Sequence, residues 1–360
     1  MLRTACTVAG ALCLLVSGCT GGGHRTAHPA TAPHTTAPLF EGDAVVSLHG
    51  ARLVGRPGVQ LIQGNRLGDL GGGNTRQIVG LPDTNKQPIM AFRIGQDTVL
   101  WLDCLSQRGC TSQVFVLSSG TSQVRRIATS APAGSGLSAA PGLHGVWLTR
   151  YESDQRCTLS EVGLTGRTLV PATPIACSVG VRAETRLGLL TSNSLTAKDA
   201  ILDPQHHLRT RIRSDGPILA VAGTTRVTLD EQAVTVTDRA GHSRSVPVPS
   251  TIGTTDDGYV SADDRYVAVP FTNPACPGPR QCLDMWVLDL SMMRWLHVPS
   301  MPVAVALKQT TEFWGAHDQL FFLGSFDGPG DMVAMWQPHA SELAVRKVTL
   351  PKTEYGILDS

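Results

Sequence analysis

The chain has 360 residues, 42% hydrophobic and 16% charged, and its 30 Lys plus Arg against 29 Asp plus Glu give a formal charge of +1. Nothing in that balance favours nucleic acid or an anionic surface as partner, and the length allows a large core in one or two domains. At the N-terminus, residues 1–18 hold one cation, Arg3, then an apolar stretch from Ala5 to Val16 broken only by Thr7 and Gly10, then small residues. That is the layout of a secretory signal peptide. At about 1.5 Å per residue, its apolar part is too short to cross a hydrocarbon core of about 30 Å as a permanent helix.

The junction "VSGC", ending at Cys19, resembles the lipobox of bacterial lipoproteins, in which the Cys thiol takes a diacylglycerol and signal peptidase cuts just before it. The resemblance implies a mature chain that begins at Cys19, carries palmitate-type acyl chains and is anchored on the extracytoplasmic face of the cell membrane. Two or three acyl chains, at about 0.8 kcal/mol per buried CH₂, make a stable anchor. Plain secretion after nearby cleavage is the alternative. Removing Arg3 with the leader takes Lys plus Arg from 30 to 29, equal to the 29 Asp plus Glu, so the mature chain is formally neutral. Residues 20–38, "TGGGHRTAHPATAPHTTAP", have no sizeable apolar side chain and read as a disordered tether. His24, His28 and His34 within it are loosely spaced, with no Cys or carboxylate beside them, and do not read as a metal site. Residues 39–360 form the folded domain.

Of the nine cysteines, Cys6 and Cys13 leave with the leader and Cys19 is taken by lipid. An even remainder in an exported chain points to disulfides. Two pairs share the form C-x5-C, "CLSQRGC" and "CPGPRQC", each between strand-like runs where antiparallel neighbours come within disulfide reach. We therefore expect Cys104–Cys110 and Cys276–Cys282, and by elimination Cys157–Cys177. The absence of C-x2-C argues against zinc and thiol redox chemistry.

Short apolar runs broken by Gly, Pro, Asp and Ser recur along the domain, an all-β pattern. Six units starting at 98, 144, 185, 224, 264 and 318 each repeat a strand, a polar hairpin, a second strand, a tight turn and a third strand. A period near 40–50 residues with strands throughout points to four-stranded propeller blades. In the fifth unit, "DDGYVSADDRYVAVPF" followed by "LDMWVLDLSMMRWLHVP" resembles the repeat of TolB-like and WD40-like β-propellers. There a strand ends in Ser-x-Asp-(Asp/Gly), a turn that Asp263 and Asp264 suit, because short carboxylates cap their own backbone and tolerate unusual φ. Residues 43–82 leave room for one more blade. The expected fold is a seven-bladed β-propeller, with six or eight blades as alternatives, closed by pairing an N-terminal strand with the C-terminal end.

The resemblance also implies which loops bind. In such propellers the hairpins between second and third strands share a face with the blade-to-blade connections. The loops bearing Arg108, Arg280, Asp327 and Asp331, the two C-x5-C staples and Cys157 fall there. No sequence motif for hydrolysis, phosphate binding or a structural metal appears, so no catalytic residue, metal or cofactor is expected. Asp327 and Asp331 alone are too few oxygens for calcium. His206 and His207, with only Asp203 nearby, read as solvent-facing, and Trp101, Trp147, Trp286 and Trp336, lying in apolar runs, read as core. The expected function is a membrane-anchored, non-catalytic binding or scaffold module for a protein or cell-envelope polymer. The alternative is a hydrolase or lyase acting on envelope glycans from a central-channel site. Replacing Cys19 with Ser is expected to release the protein into soluble fractions or leave it unprocessed, as read by membrane fractionation and intact mass.

Overall fold

The second strand of several sheets is apolar on both of its faces, and this sets the architecture. In the computed structural model, β7 (Asp97–Leu102) buries every side chain from Thr98 to Leu102. Because side chains alternate across a strand, Val99 and Trp101 face one neighbour while Leu100 and Leu102 face the other. A strand covered on both sides reads as a continuous apolar run, whereas one-sided strands alternate.

The structure describes residues 45–48, 51–55, 59–63, 66–69, 75–82, 89–95, 97–102, 111–118, 121–127, 131–140, 142, 145–153, 156–196, 198–230, 232–249, 258–261, 263–273, 282–299, 310–314, 318–326, 330–347 and 355–356. All belong to one contact unit, Thr35–Ser360. Among them the strands fall into seven antiparallel sheets. The first contains β1 (Val45–Leu48), β2 (Ala51–Gly55), β3 (Val59–Gln63), β4 (Arg66–Asp69) and β5 (Thr75–Gln77), with β31 (Tyr355–Gly356) paired to β1. The second orders β6 (Ile89–Ile94), β7 and β8 (Thr111–Leu117), followed by two short strands, β9 (Val124–Arg126) and β10 (Ala131–Pro132), which pair with opposite ends of β8. These two sheets depart from four strands. The first has six, β1 to β5 plus β31 from the far end of the domain, and in the second the fourth strand is split in two.

Five four-stranded sheets follow. The third is β11 (Gly136–Ala140), β12 (Gly145–Ser153), β13 (Arg156–Gly163) and β14 (Thr168–Ala176). The fourth is β15 (Val179–Thr185), β16 (Gly188–Asn193), β17 (Lys198–Asp203) and β18 (Arg209–Arg213), with a short 3-10 turn at Pro204–His206. The fifth is β19 (Ile218–Ala222), β20 (Thr225–Leu229), β21 (Ala233–Thr237) and β22 (Ser243–Pro247). The sixth is β23 (Tyr259–Val260), β24 (Tyr266–Asn273), β25 (Cys282–Asp289) and β26 (Arg294–His297), and the seventh β27 (Thr310–Trp314), β28 (Leu320–Phe326), β29 (Gly330–Trp336) and β30 (Ala344–Lys347). The six repeat units read from the sequence are the second to fourth strands of the second to seventh sheets. The fold is a β-propeller. Among the described residues no helix is long and apolar enough to cross a membrane.

The core lies between sheets. Val99, Trp101 and Val114 of the second sheet pack with Leu137, Val146 and Leu148 of the third. Trp147 and Leu159 of the third meet Leu189 and Leu202 of the fourth. Tyr266 and Ala268 of β24 face the seventh sheet, while Val267, Val269 and Phe271 of the same strand face the fifth. Each such large side chain contributes roughly 1.5–3 kcal/mol on burial. Polar contacts then link the first strands of successive sheets. Ser138 Oγ donates to the Val181 carbonyl (2.7 Å), Arg182 donates to the Ile218 and Leu219 carbonyls (2.7 and 3.2 Å), and Trp314 Nε1 donates to the Tyr259 carbonyl (2.8 Å). Arg182 also pairs with the buried Asp199 at 3.0 Å, whose carboxylate accepts the Ile218 amide at 2.6 Å. The outermost strand β14 is mostly exposed and carries Pro171 and Pro174, which lack the N–H a further strand would need.

Strand direction sorts the loops. In an antiparallel 1-2-3-4 order, the 2–3 hairpins and the sheet-to-sheet connections share one rim, here the connection rim. The 1–2 and 3–4 turns share the other, the turn rim. Arg182→Ala leaves Asp199 buried without its cation and is expected to lower the unfolding free energy by about 3–5 kcal/mol in urea denaturation, partly restored by adding Asp199→Leu.

Candidate functional site

On the connection rim, Cys157, the second residue of β13, is disulfide-bonded to Cys177 in the turn that leads from β14 to β15. The bridge therefore ties a 2–3 hairpin of the third sheet to its connection with the fourth. The bracing continues along the chain. Ser178, next to Cys177, accepts hydrogen bonds at its carbonyl from the Ser194 amide (2.9 Å) and hydroxyl (3.3 Å). Ser194 starts the β16–β17 hairpin, and Asn193 Oδ1 accepts the amides of Leu195 (3.0 Å) and Thr196 (3.3 Å). Leu195 is held at this tip with 84% of its surface exposed.

Beside the disulfide lies a groove of about 660 Å³ lined by Glu152, Ser153, Arg156, Cys157, Pro174 and Ile175, among others. Its polar side chains are ordered by each other: Thr158 Oγ1 donates to Glu152 Oε1 (3.0 Å) and Arg156 Nη2 to Ser153 Oγ (3.1 Å). A second cavity of about 260 Å³ shares Glu152 and Thr158 and extends to Arg150 and to Ile127 of the second sheet. A cation, a carboxylate and an apolar wall along one groove fit an extended ligand with both polar and apolar groups.

The turn rim is built differently. In the sixth sheet, Ser261 Oγ donates to Asp263 Oδ1 (2.6 Å), which also accepts the Arg265 amide (3.0 Å), while Asp264 adopts φ +60°. This is the Ser-x-Asp-Asp turn expected from the repeat. Asp264 also pairs with Arg186 of the fourth sheet at 3.2 Å. Three third strands run into a capping aspartate. Asp203 accepts the Gln205 amide, Asp238 the His242 amide, and the buried Asp289 the Ser291 and Met292 amides. Burial works to raise the Asp289 carboxyl, but hydrogen bonds from Ser291, Arg265 and Met292 hold it below its ordinary value. No hydrogen bond offsets burial at Glu161 on β13, which is fully buried with neither carboxylate oxygen bonded among the described residues. Burial first, then the charge of Glu184, pushes it up to about 7.

Of the residues singled out in the sequence, the structure joins Cys157 and Cys177. Cys19, Cys104, Cys110, Cys276, Arg108, Arg280 and Asp327 lie outside the described residues, as do residues 1–38, and of Cys282 and Asp331 only the strand backbone is described. His206 is exposed and hydrogen-bonded to Asp203 (2.8 Å), which also takes Arg211. Trp101, Trp147 and Trp336 are core. Trp286 differs: half-buried, it donates to Asp284 (2.8 Å) and packs on His297, which itself bonds Asp284 (2.6 Å). Its strand lies beside an edge, so the indole has a wet side. Among the described residues no three His, Cys, Asp or Glu converge to hold a metal ion.

Neither a protein-family model nor a curated protein matches the chain. Solved structures do, as folds. One of two prolyl endopeptidases analysed for inter-domain dynamics aligns over 88% of this chain and 51% of its own length, at 11% identity and a TM-score of 0.56. Prolyl oligopeptidase B from Galerina marginata aligns over 88% of this chain and 51% of its own, at 13% identity and 0.55. TolB from Acinetobacter baumannii aligns over 86% and 66%, at 10% identity and 0.45. The chain thus spans about half the length of the two peptidases, and the likeness at these identities is one of fold.

Glu161 escaped the sequence reading although its signal was present. In "RCTLSEVG" the buried face runs Cys157, Leu159, Glu161, Gly163, so a carboxyl occupies an inward position of a strict alternation. Replacing both Cys157 and Cys177 by Ser is expected to cost about 3 kcal/mol, as read by chemical denaturation, from the 20-residue separation of the bridge.

Proposed function

We propose that the protein is a lipid-anchored, extracytoplasmic β-propeller that works as a non-catalytic binding or scaffold module, presenting its connection rim to a protein or a cell-envelope polymer. The observation that carries this reading is the braced stretch of rim on the third and fourth sheets. Ser178, Ser194 and Asn193 hold the hairpin that carries a large exposed apolar side chain, Leu195, and on the same rim the disulfide lines a groove with fixed polar groups. A surface held in its binding shape before contact loses less entropy on engagement, and apolar anchors next to ordered polar groups carry most interface energy. Anchoring rests on "VSGC" at Cys19 and on the tether-like composition of residues 20–38. The peptidase names of the fold neighbours lend no activity to this chain, because the aligned part is about half of each.

Cross-linking in intact membranes, followed by mass spectrometry of the captured species, tests the reading. One dominant partner should be recovered, and Leu195→Asp combined with Arg156→Glu should cut its yield by about tenfold or more. Recovery of no partner, or equal yield from the double variant, overturns it. Turnover of purified envelope glycans by the wild-type protein replaces it with the hydrolase or lyase reading.

A further inference from the structure

The seam between the third and fourth sheets is fixed at one end and chemically unsettled at the other. At the connection rim the Cys157–Cys177 bridge ties the β12–β13 hairpin of the third sheet to the turn that leads into the fourth. Midway, Ala140, Trp147, Leu159, Leu189 and Leu202 form its apolar filling, and Ser138 Oγ donates across it to Val181. At the turn rim sit Glu161 on β13 and Glu184 on β15. Glu161 has no exposed surface, neither of its carboxylate oxygens has a hydrogen-bond partner among the described residues, and the same holds for Nε1 of Trp147, its direct cross-strand partner. Glu184 accepts the Gly142 amide at 3.2 Å.

The chain makes room for both carboxyls. A Cβ on Gly145 would stand 3.1 Å from Glu161 Oε1 and 2.8 Å from the Val162 carbonyl, and one on Gly142 would stand 3.4 Å from Glu184 Oε1. Side chains are therefore missing where the two acids need space. Such an arrangement is comfortable only while a proton removes one of the charges, since a buried carboxylate without partners is costly.

We propose that Glu161 and Glu184 form a proton-controlled latch on a seam hinged at the disulfide: protonated Glu161 keeps the third and fourth sheets closed at the turn rim, and its ionisation opens them there. The direction follows from linkage. An ordinary glutamate titrates near 4.5 and Glu161 in the folded chain near 7. The folded state therefore holds this proton more tightly. Its contribution is complete below about 4.5 and lost as pH rises through about 7. Glu184 is raised as well, by burial, with the Gly142 hydrogen bond working against it.

The charges around the latch do not offset it. On its own sheet Glu161 is opposed by Trp147 and Val170, which carry none. Across the seam the charge acting on it is Glu184. Other rim charges are engaged elsewhere: Arg186 with Asp264, and Arg211 and His206 with Asp203. Arg167, on the turn after β13, forms no ion pair with either glutamate among the described residues. His144, next to Gly145, lies outside the described residues and supplies the control.

Hydrogen exchange by mass spectrometry on the intact protein, corrected for intrinsic rates, reads the seam directly. Between about pH 5.5 and about pH 8.5, protection of β12, β13 and β15 should fall by about tenfold or more, while β24 and β25 keep theirs. Glu161→Gln, an uncharged stand-in for the protonated acid, should hold seam protection flat over that range. Glu184→Gln should move the midpoint to lower pH by removing the neighbouring charge, and this reports on the latch even if Glu161→Gln folds poorly. His144→Gln should leave the transition in place. A wild-type seam without pH dependence, a transition that persists in Glu161→Gln, an unmoved midpoint in Glu184→Gln, or loss of the transition in His144→Gln each overturns the proposal.

Discussion

Everything in this domain depends on the burial of each sheet against two neighbours. A four-stranded sheet with one apolar face would need a single partner, but here second strands such as β7, β12 and β24 are apolar on both sides and can be satisfied only inside a series. The core is thus a succession of seams, and each seam is a separate interface with its own chemistry. Apolar filling is common to them. What differs is the polar bond added to it: a hydroxyl between the third and fourth sheets, a guanidinium and carboxylate between the fourth and fifth, an indole between the sixth and seventh. Energy in such a stack is close to a sum over neighbouring pairs, so a local change is felt first at its own seam.

That view explains why the two rims behave differently. The connection rim carries the covalent brace and the groove, and among the described residues its hairpins take their shape from side-chain caps and the Cys157–Cys177 disulfide. The turn rim is a ring of short carboxylates that cap backbone amides, in the third-strand aspartates and the Ser261–Asp263 turn. Those acids are already committed to donors. Glu161 stands apart because its strand places it one layer inside the rim, where no donor reaches it among the described residues.

Much of the architecture could be read from the sequence because the second to fourth strands are long and patterned by burial. β13, for example, alternates buried and half-buried residues over its whole length. First strands are harder to see. β11 is "GLSAA" and β23 has only two residues, so their pairing is dictated by neighbouring seams and not by their own pattern. The disulfide between Cys157 and Cys177 could be inferred by counting, since the other cysteines had closer companions. The site was less legible. The groove is made by ordinary strand residues, Glu152, Arg156, Pro174 and Ile175, whose convergence depends on strand twist and sheet spacing, while Arg108, Arg280 and Asp327 lie outside the described residues. Trp286 packs against the core from a half-buried position, and with an aspartate two positions before it and a histidine across the ladder it also has a polar use for its N–H.

The pairing of β1 with β31 has a consequence for how the chain comes to rest. Ser47 and Leu48 meet Gly356 and Tyr355, residues separated by nearly the whole domain. During synthesis β1 is made early and its outer edge stays without that partner until almost everything else exists. Contacts of such long range form slowly, because the intervening loop must first be ordered. The first sheet is therefore the natural last step of folding, and the seams between the other sheets are the template on which it is sealed. A chain cut short by its final few residues would keep those seams and lose the clasp.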